Sequence, residues 1–120
     1  MAKKILIIDD DPIVVKYLRT LFHDNGYETC SATDGVKGLE VLKKEKPDLI
    51  TLDLQMPDGW GPRFYRMLSK DKELKDTPVI VISALDGDHA IRNAVAFIRK
   101  PFDADKLIGI IHNTIGANSV

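Results

Sequence analysis

KILIIDDDP, residues 4–12, runs four apolar side chains straight into three successive acids and a proline. A strand with one wet face alternates apolar and polar residues. Ile5–Ile8 does not alternate, and neither does Val79–Ile82, so both read as strands covered on two faces, at the centre of a parallel sheet. Asp11 before Pro12 then reads as an N-cap followed by a first-turn proline. Working outward, Lys4–Ile8, Tyr27–Ser31, Leu49–Asp53, Pro78–Ile82 and Ala96–Arg99 are expected strands. Helical spacing falls between them at Val14, Leu18, Leu21 and Phe22, then at Val36, Leu39 and Leu42. Phe64, Met67 and Leu68 predict a third helix, which Gly61-Pro62 opens; Leu107, Ile108, Ile111 and Ile115 predict the last one. Asn25-Gly26 is a helix stop, and Asp34 and Asp103 are further caps. Strands alternating with helices give a doubly wound α/β fold with a five-stranded parallel sheet.

A chain of 120 residues fits one domain. Its 17 basic and 18 acidic residues leave a net charge of −1, without the basic field on which nucleic-acid binding depends. Lys43, Lys44 and Lys46 read as a solvated helix end. The single cysteine, Cys30, can form no internal disulfide and reads as a buried, inert thiol in a reducing compartment. The apolar run at the N-terminus is too short for a signal peptide or a membrane span, so a cytoplasmic protein with no membrane insertion is expected.

In such a sheet ligands bind beyond the carboxyl ends of the strands. The first strand runs into Asp9, Asp10 and Asp11. The third ends in Asp53, the fourth in Ser83, and the fifth delivers Lys100. Crowded carboxylates raise one another's pKa unless a cation sits among them. A hard divalent ion answers that need, and Mg2+ binds one or two carboxylates together with waters and phosphate. Lys100 and the Ser83 hydroxyl would help hold a phosphoryl group, whose transfer requires mainly alignment and charge neutralisation. A carboxylate can itself be the nucleophile. Asp53, the lone acid on the central strand, is the natural acceptor.

ILIIDDDP (Ile5–Pro12), DLITLDLQMPDGWG (Asp48–Gly61), PVIVISA (Pro78–Ala84) and FIRKPF (Phe97–Phe102), taken in order, resemble the response regulator receiver domains of bacterial two-component signalling, the family of the chemotaxis regulators. The resemblance covers essentially the whole chain. It implies a flavodoxin-like strand order 2-1-3-4-5 and one receiver domain over residues 1–120, with 116–120 as a tail. It also implies a switch protein that assists its own phosphorylation and autodephosphorylation, and not a turnover enzyme. Asp53 matches the phosphoacceptor. Asp9 and Asp10 match the acidic pair that binds Mg2+, Asp10 as the more direct ligand, with the Gln55 backbone carbonyl completing the metal shell. Ser83 matches the hydroxyl that bonds the phosphoryl oxygen, and Lys100 the lysine that precedes a cis peptide bond to Pro101. Phe97 matches an aromatic switch that turns inward when Ser83 moves, and Gln55 and Leu85 occupy positions that tune dephosphorylation. The implied phosphodonor is a sensor histidine kinase or a histidine phosphotransfer protein in a phosphorelay; the downstream protein target is not named by the sequence. Asp11 reads as the helix cap alone. His23, His89 and His112 have no metal-ligand spacing and read as surface or partly buried residues. Trp60 reads as packing over the loop after Asp53.

One stretch departs from the pattern. Only sixteen residues, Ala84 through Arg99, separate Ser83 from Lys100, fewer than the family usually has. A shortened or irregular fourth helix is therefore expected between the last two strands, and output through another surface, the first or the final helix. The Asp9-x-Asp11 spacing also invites comparison with haloacid-dehalogenase-type phosphohydrolases. There a hydroxyl residue would follow, where this chain has Pro12 and Ile13. A third reading is a receiver that no longer accepts phosphate and acts as a binding module.

Overall fold

The computed structural model describes residues 2–84 and 93–116. Three of its strands, β1 (Lys4–Ile8), β3 (Leu49–Leu52) and β4 (Val79–Ser83), are short runs buried and apolar almost throughout, and β5 (Ala96–Arg99) is more open, with Phe97 and Arg99 exposed. β2 (Glu28–Ala32) carries ETCSA and lies at one edge. All pair in parallel, in the order β2-β1-β3-β4-β5, the flavodoxin-like arrangement. Side chains alternate across the sheet, so each apolar strand feeds two cores at once. Ile5, Ile7, Leu49, Ile80 and Ile82 pack with α1 (Pro12–Asp24) and the final helix, α4 (Ala104–Ile115). Leu6, Ile8, Ile50, Leu52, Val79 and Val81 pack on the opposite face, against α2 (Gly35–Glu45) and α3 (Trp60–Lys70). Each fully buried Leu or Ile contributes roughly 1.5–3 kcal/mol. That double coverage is why the unalternating runs are strands.

The caps lie where the sequence puts them. The Asp11 carboxylate accepts from the Ile13 amide at 2.9 Å, Asp34 from Lys37 at 2.7 Å, and Asp103 from Asp105 at 2.9 Å. Each satisfies amides that the first helical turn leaves without partners. The second strand starts one residue later than expected. Tyr27 stays outside it because its buried ring is tied to the far end of α4, its hydroxyl donating to the Gly116 carbonyl at 2.9 Å. β4 begins at Val79, since Pro78 has no amide to give the ladder, and runs on through Ser83.

Two helix faces differ from the apolar spacing. Val36 and Met67 point to solvent, and the inward positions are Gly35, Gly38 and Leu42 in α2, and Gly61, Phe64 and Leu68 in α3. Glycines carry no apolar signal, yet here they are the residues that let these helices approach. α3 begins at Trp60, after a 3-10 turn at Pro57–Gly59, and not at Gly61-Pro62. Asp58 and Gly59 both hold positive φ, 60° and 68°, and fold the chain back before the helix can start. The expected fourth helix falls largely on residues 85–92, with Leu85 and His89, and lies outside the described residues. Residues 93–95 enter β5 without helix.

Candidate functional site

The parallel ladder does not stop where the strands end. The Asp9 amide donates to the Ala32 carbonyl at 3.3 Å, the Asp53 amide to Ile8 at 2.9 Å, and the Lys100 amide to Ser83 at 3.0 Å. Asp9, Asp53 and Lys100 are thus each fixed by one backbone bond just beyond a strand, with Ser83 the final residue of β4. Asp9, Asp53 and Ser83 are 2%, 4% and 1% exposed, which no isolated surface acid or hydroxyl would be.

The two buried carboxylates are held in the same way. Asp9 Oδ1 accepts the Asp11 amide at 2.9 Å and Asp53 Oδ1 accepts the Gln55 amide at 3.0 Å. In each, an amide two residues ahead ties one oxygen and leaves Oδ2 to face Lys100. Lys100 Nζ donates to Asp9 Oδ2 at 2.8 Å and stands 3.7 Å from Asp53 Oδ2. Asp9, Asp10 and Asp53 each offer a carboxylate oxygen, and the three lie within 4.8 Å of one another. Asp10 is exposed and the other two are buried.

Three acids against one lysine leave the cluster short of positive charge. Burial pushes the Asp9 carboxyl above the usual range. The Lys100 and Asp11 hydrogen bonds pull it down, and the charge of Asp53 pushes it up again. Burial would lower Lys100, but its bond to Asp9 and the fields of Asp9, Asp53 and Asp10 outweigh that and hold it above its ordinary value. An all-oxygen set with excess negative charge, one member open to solvent, suits a hard divalent cation that keeps several waters.

The remaining predicted residues are scattered around this centre. The Lys100–Pro101 bond is cis. Phe97 is 40% exposed and shares a sheet face with Ser83, two rungs back along β5. Trp60 does more than cover its own loop. Its indole lies on Gly35 at the start of α2, where a Cβ would collide with the ring, and the Arg63 guanidinium stacks 4.6 Å from the ring centroid. His23 is exposed beside Asp24, and His112 packs 5.8 Å from the Tyr27 ring. Sequence reasoning missed Gly35, and took Gly61 only as the opening of a helix. A Cβ on Gly61 would sit 2.6 Å from Leu54 Cα and 2.9 Å from the Asp53 carbonyl oxygen, so the start of α3 rests directly on the backbone of Asp53 and Leu54. The only signal was the glycine itself, eight residues after Asp53.

A family model for the response regulator receiver domain matches residues 5–112. The chain belongs to that family. Among curated relatives, this receiver domain is 33% identical over 116 residues to protein Rrf1 of Nitratidesulfovibrio vulgaris, covering 96% of this chain and 84% of that protein. It is 33% identical over 121 residues to the polar-differentiation response regulator DivK of Brucella anthropi, covering 97% and 98%. Among solved structures, the receiver domain of a Pseudomonas aeruginosa sensor histidine kinase aligns with a TM-score of 0.86 at 22% identity, over 98% of this chain and 100% of that one. That structure has a magnesium ion coordinated in its active-site cleft. Receiver domains of this family are signalling switches, and the fold described above is theirs. Among the described residues no helix is long and apolar enough to cross a membrane.

Proposed function

We propose that this receiver domain takes a phosphoryl group on Asp53 Oδ2 from a phosphohistidine on a sensor kinase or phosphotransfer protein in the cytoplasm, and signals through the resulting change of shape. The observation that carries the reading is the pairing of the two carboxylates: Oδ1 of Asp53 is occupied by the Gln55 amide, while Oδ2 faces the Lys100 ammonium at 3.7 Å. In the transfer Asp53 Oδ2 bonds to phosphorus, the donor's phosphorus–nitrogen bond breaks, and its electron pair leaves with the imidazole nitrogen. Lys100, fixed by Asp9, supplies a preoriented positive charge for the phosphoryl oxygens. The Ser83 hydroxyl would hold the group in place by donating to one of those oxygens, and Phe97 would turn inward on the same sheet face.

Asp9, Asp10 and Asp53, with the Gln55 carbonyl, are the residues that would hold Mg2+. When bound, that ion neutralises phosphoryl charge and aligns the group for in-line displacement. Autodephosphorylation would use the same constellation with water as the entering group. A magnesium ion in the cleft of the Pseudomonas receiver supports the same metal here.

Phosphoramidate, the simplest phosphorus–nitrogen donor, tests the transfer. With Mg2+ present, Asp53 should gain phosphate, and Lys100→Ala should slow the gain by about a hundredfold while the circular dichroism stays native. An unchanged rate in Lys100→Ala would remove Lys100 from the chemistry.

A further inference from the structure

Away from the carboxylates, α1 and the edge strand β2 enclose a groove of about 640 Å³. On the helix side it is lined by Lys16, Arg19, Thr20 and His23, and on the strand side by Thr29 and Thr33. Lys16, Arg19 and His23 follow at helical spacing, so one face of α1 presents three basic groups. Among the described residues no carboxylate lines the groove, and the Asp24 carboxylate stands 3.9 Å from His23 Nδ1. This charge is local, since the chain as a whole is at −1.

Among the described residues β2 is bonded on one side only. Glu28 donates to the Lys3 carbonyl and Ala32 accepts from Asp9, so the even-numbered residues turn their backbone groups toward β1. In a parallel ladder the intervening residues, Thr29 and Ser31, then turn theirs outward. Their side chains stand on the face of their rung partners Ile5 and Ile7, toward α1. An open backbone edge therefore runs beside a row of hydroxyls and a cationic wall.

We propose that this groove docks an acidic, extended segment of a partner protein, which adds to β2 as a further strand and sets its carboxylates against Lys16, Arg19 and His23. Main-chain bonds to Thr29 and Ser31 give affinity, and the charges give selectivity. Alternate residues of an added strand share the α1 face and recur about every 6.8 Å, near the ~5.4 Å pitch at which α1 offers Lys16, Arg19 and His23. A second copy of this chain fits worse, because two β2 edges brought together face basic wall with basic wall.

The test titrates the full chain with an alternating valine–glutamate peptide and with its valine–lysine counterpart, followed by amide shifts and hydrogen exchange. The glutamate peptide should protect the Thr29 and Ser31 amides, and bind more weakly as salt rises. Lys16→Glu with Arg19→Glu should weaken it by about tenfold or more, and Thr29→Pro, which removes an outward amide without altering charge, should weaken it as well. Equal binding of the lysine peptide, protection centred elsewhere, or unchanged affinity in the charge-reversed protein overturns the proposal. Dimerisation through β2 would overturn it too, by making a second copy the occupant.

Discussion

Thr51 lies on β3 two residues before Asp53, 2% exposed, and its Oγ1 has no hydrogen-bond partner. A buried hydroxyl without a partner keeps its desolvation cost and returns nothing. Thr51→Val preserves the branched shape and removes the polar atom, so it should raise stability by about 1–2 kcal/mol in urea unfolding. Cys30 makes the opposite point, that a polar atom can be kept quiet. Burial, reinforced by Glu45 and opposed by Lys4, pushes its thiol from the usual 9.0 to about 11. Only the thiolate reacts, and a raised value means less of it at any pH below 11. Around pH 8 iodoacetamide should therefore modify folded Cys30 about a hundredfold more slowly than a free cysteine, with the rate climbing as pH approaches that value. The thiol is partly buried, less so than its strand-like sequence suggested. At this scale the sequence shows which side chains exist but not how their atoms are committed. The fold, and not residue type, makes Asp9 and Asp53 each commit Oδ1 to an amide and turn Oδ2 to Lys100.

Among the helices, glycines carry the information that apolar spacing lacks. Gly61→Ala would drive a methyl to 2.6 Å from Leu54 Cα. The expected cost is about 1–3 kcal/mol, together with slower phosphorylation, because the atoms that must move belong to Leu54 and Asp53. Gly109, inside α4, has nothing within 4 Å of an added Cβ, and Gly109→Ala should stabilise by about 1 kcal/mol. Thermal unfolding of the two variants should thus shift in opposite directions. Strand runs such as Ile5–Ile8 and caps such as Asp11 were legible because burial on two faces and free amides impose residue types directly. The inward faces of α2 and α3 were not, because Gly35, Gly38 and Gly61 mark contact by having no side chain. The β3–α3 connection was equally opaque: Asp58 takes a left-handed backbone that its residue type only permits.

For the whole molecule, the parallel order brings the ends of four strands to one edge, which is why Asp9, Asp53, Ser83 and Lys100 could be grouped before any distance was known. The ladder bonds that continue past each strand turn that grouping into a fixed cluster, with oxygens of three acids within 4.8 Å. The same topology leaves β2 open at the far edge, and neither hydropathy nor motif marks that edge as a surface. The central claim is that Asp53 accepts phosphate in a cluster that needs a divalent ion. The measurement that tests it most directly is intact-protein mass after incubation with acetyl phosphate, with and without Mg2+, for the native chain and Asp53→Ala. Gain of one phosphoryl group by the native chain, requiring Mg2+ and absent from Asp53→Ala, is the predicted result. A native chain that gains none, or an Asp53→Ala chain that gains one as readily, would contradict it.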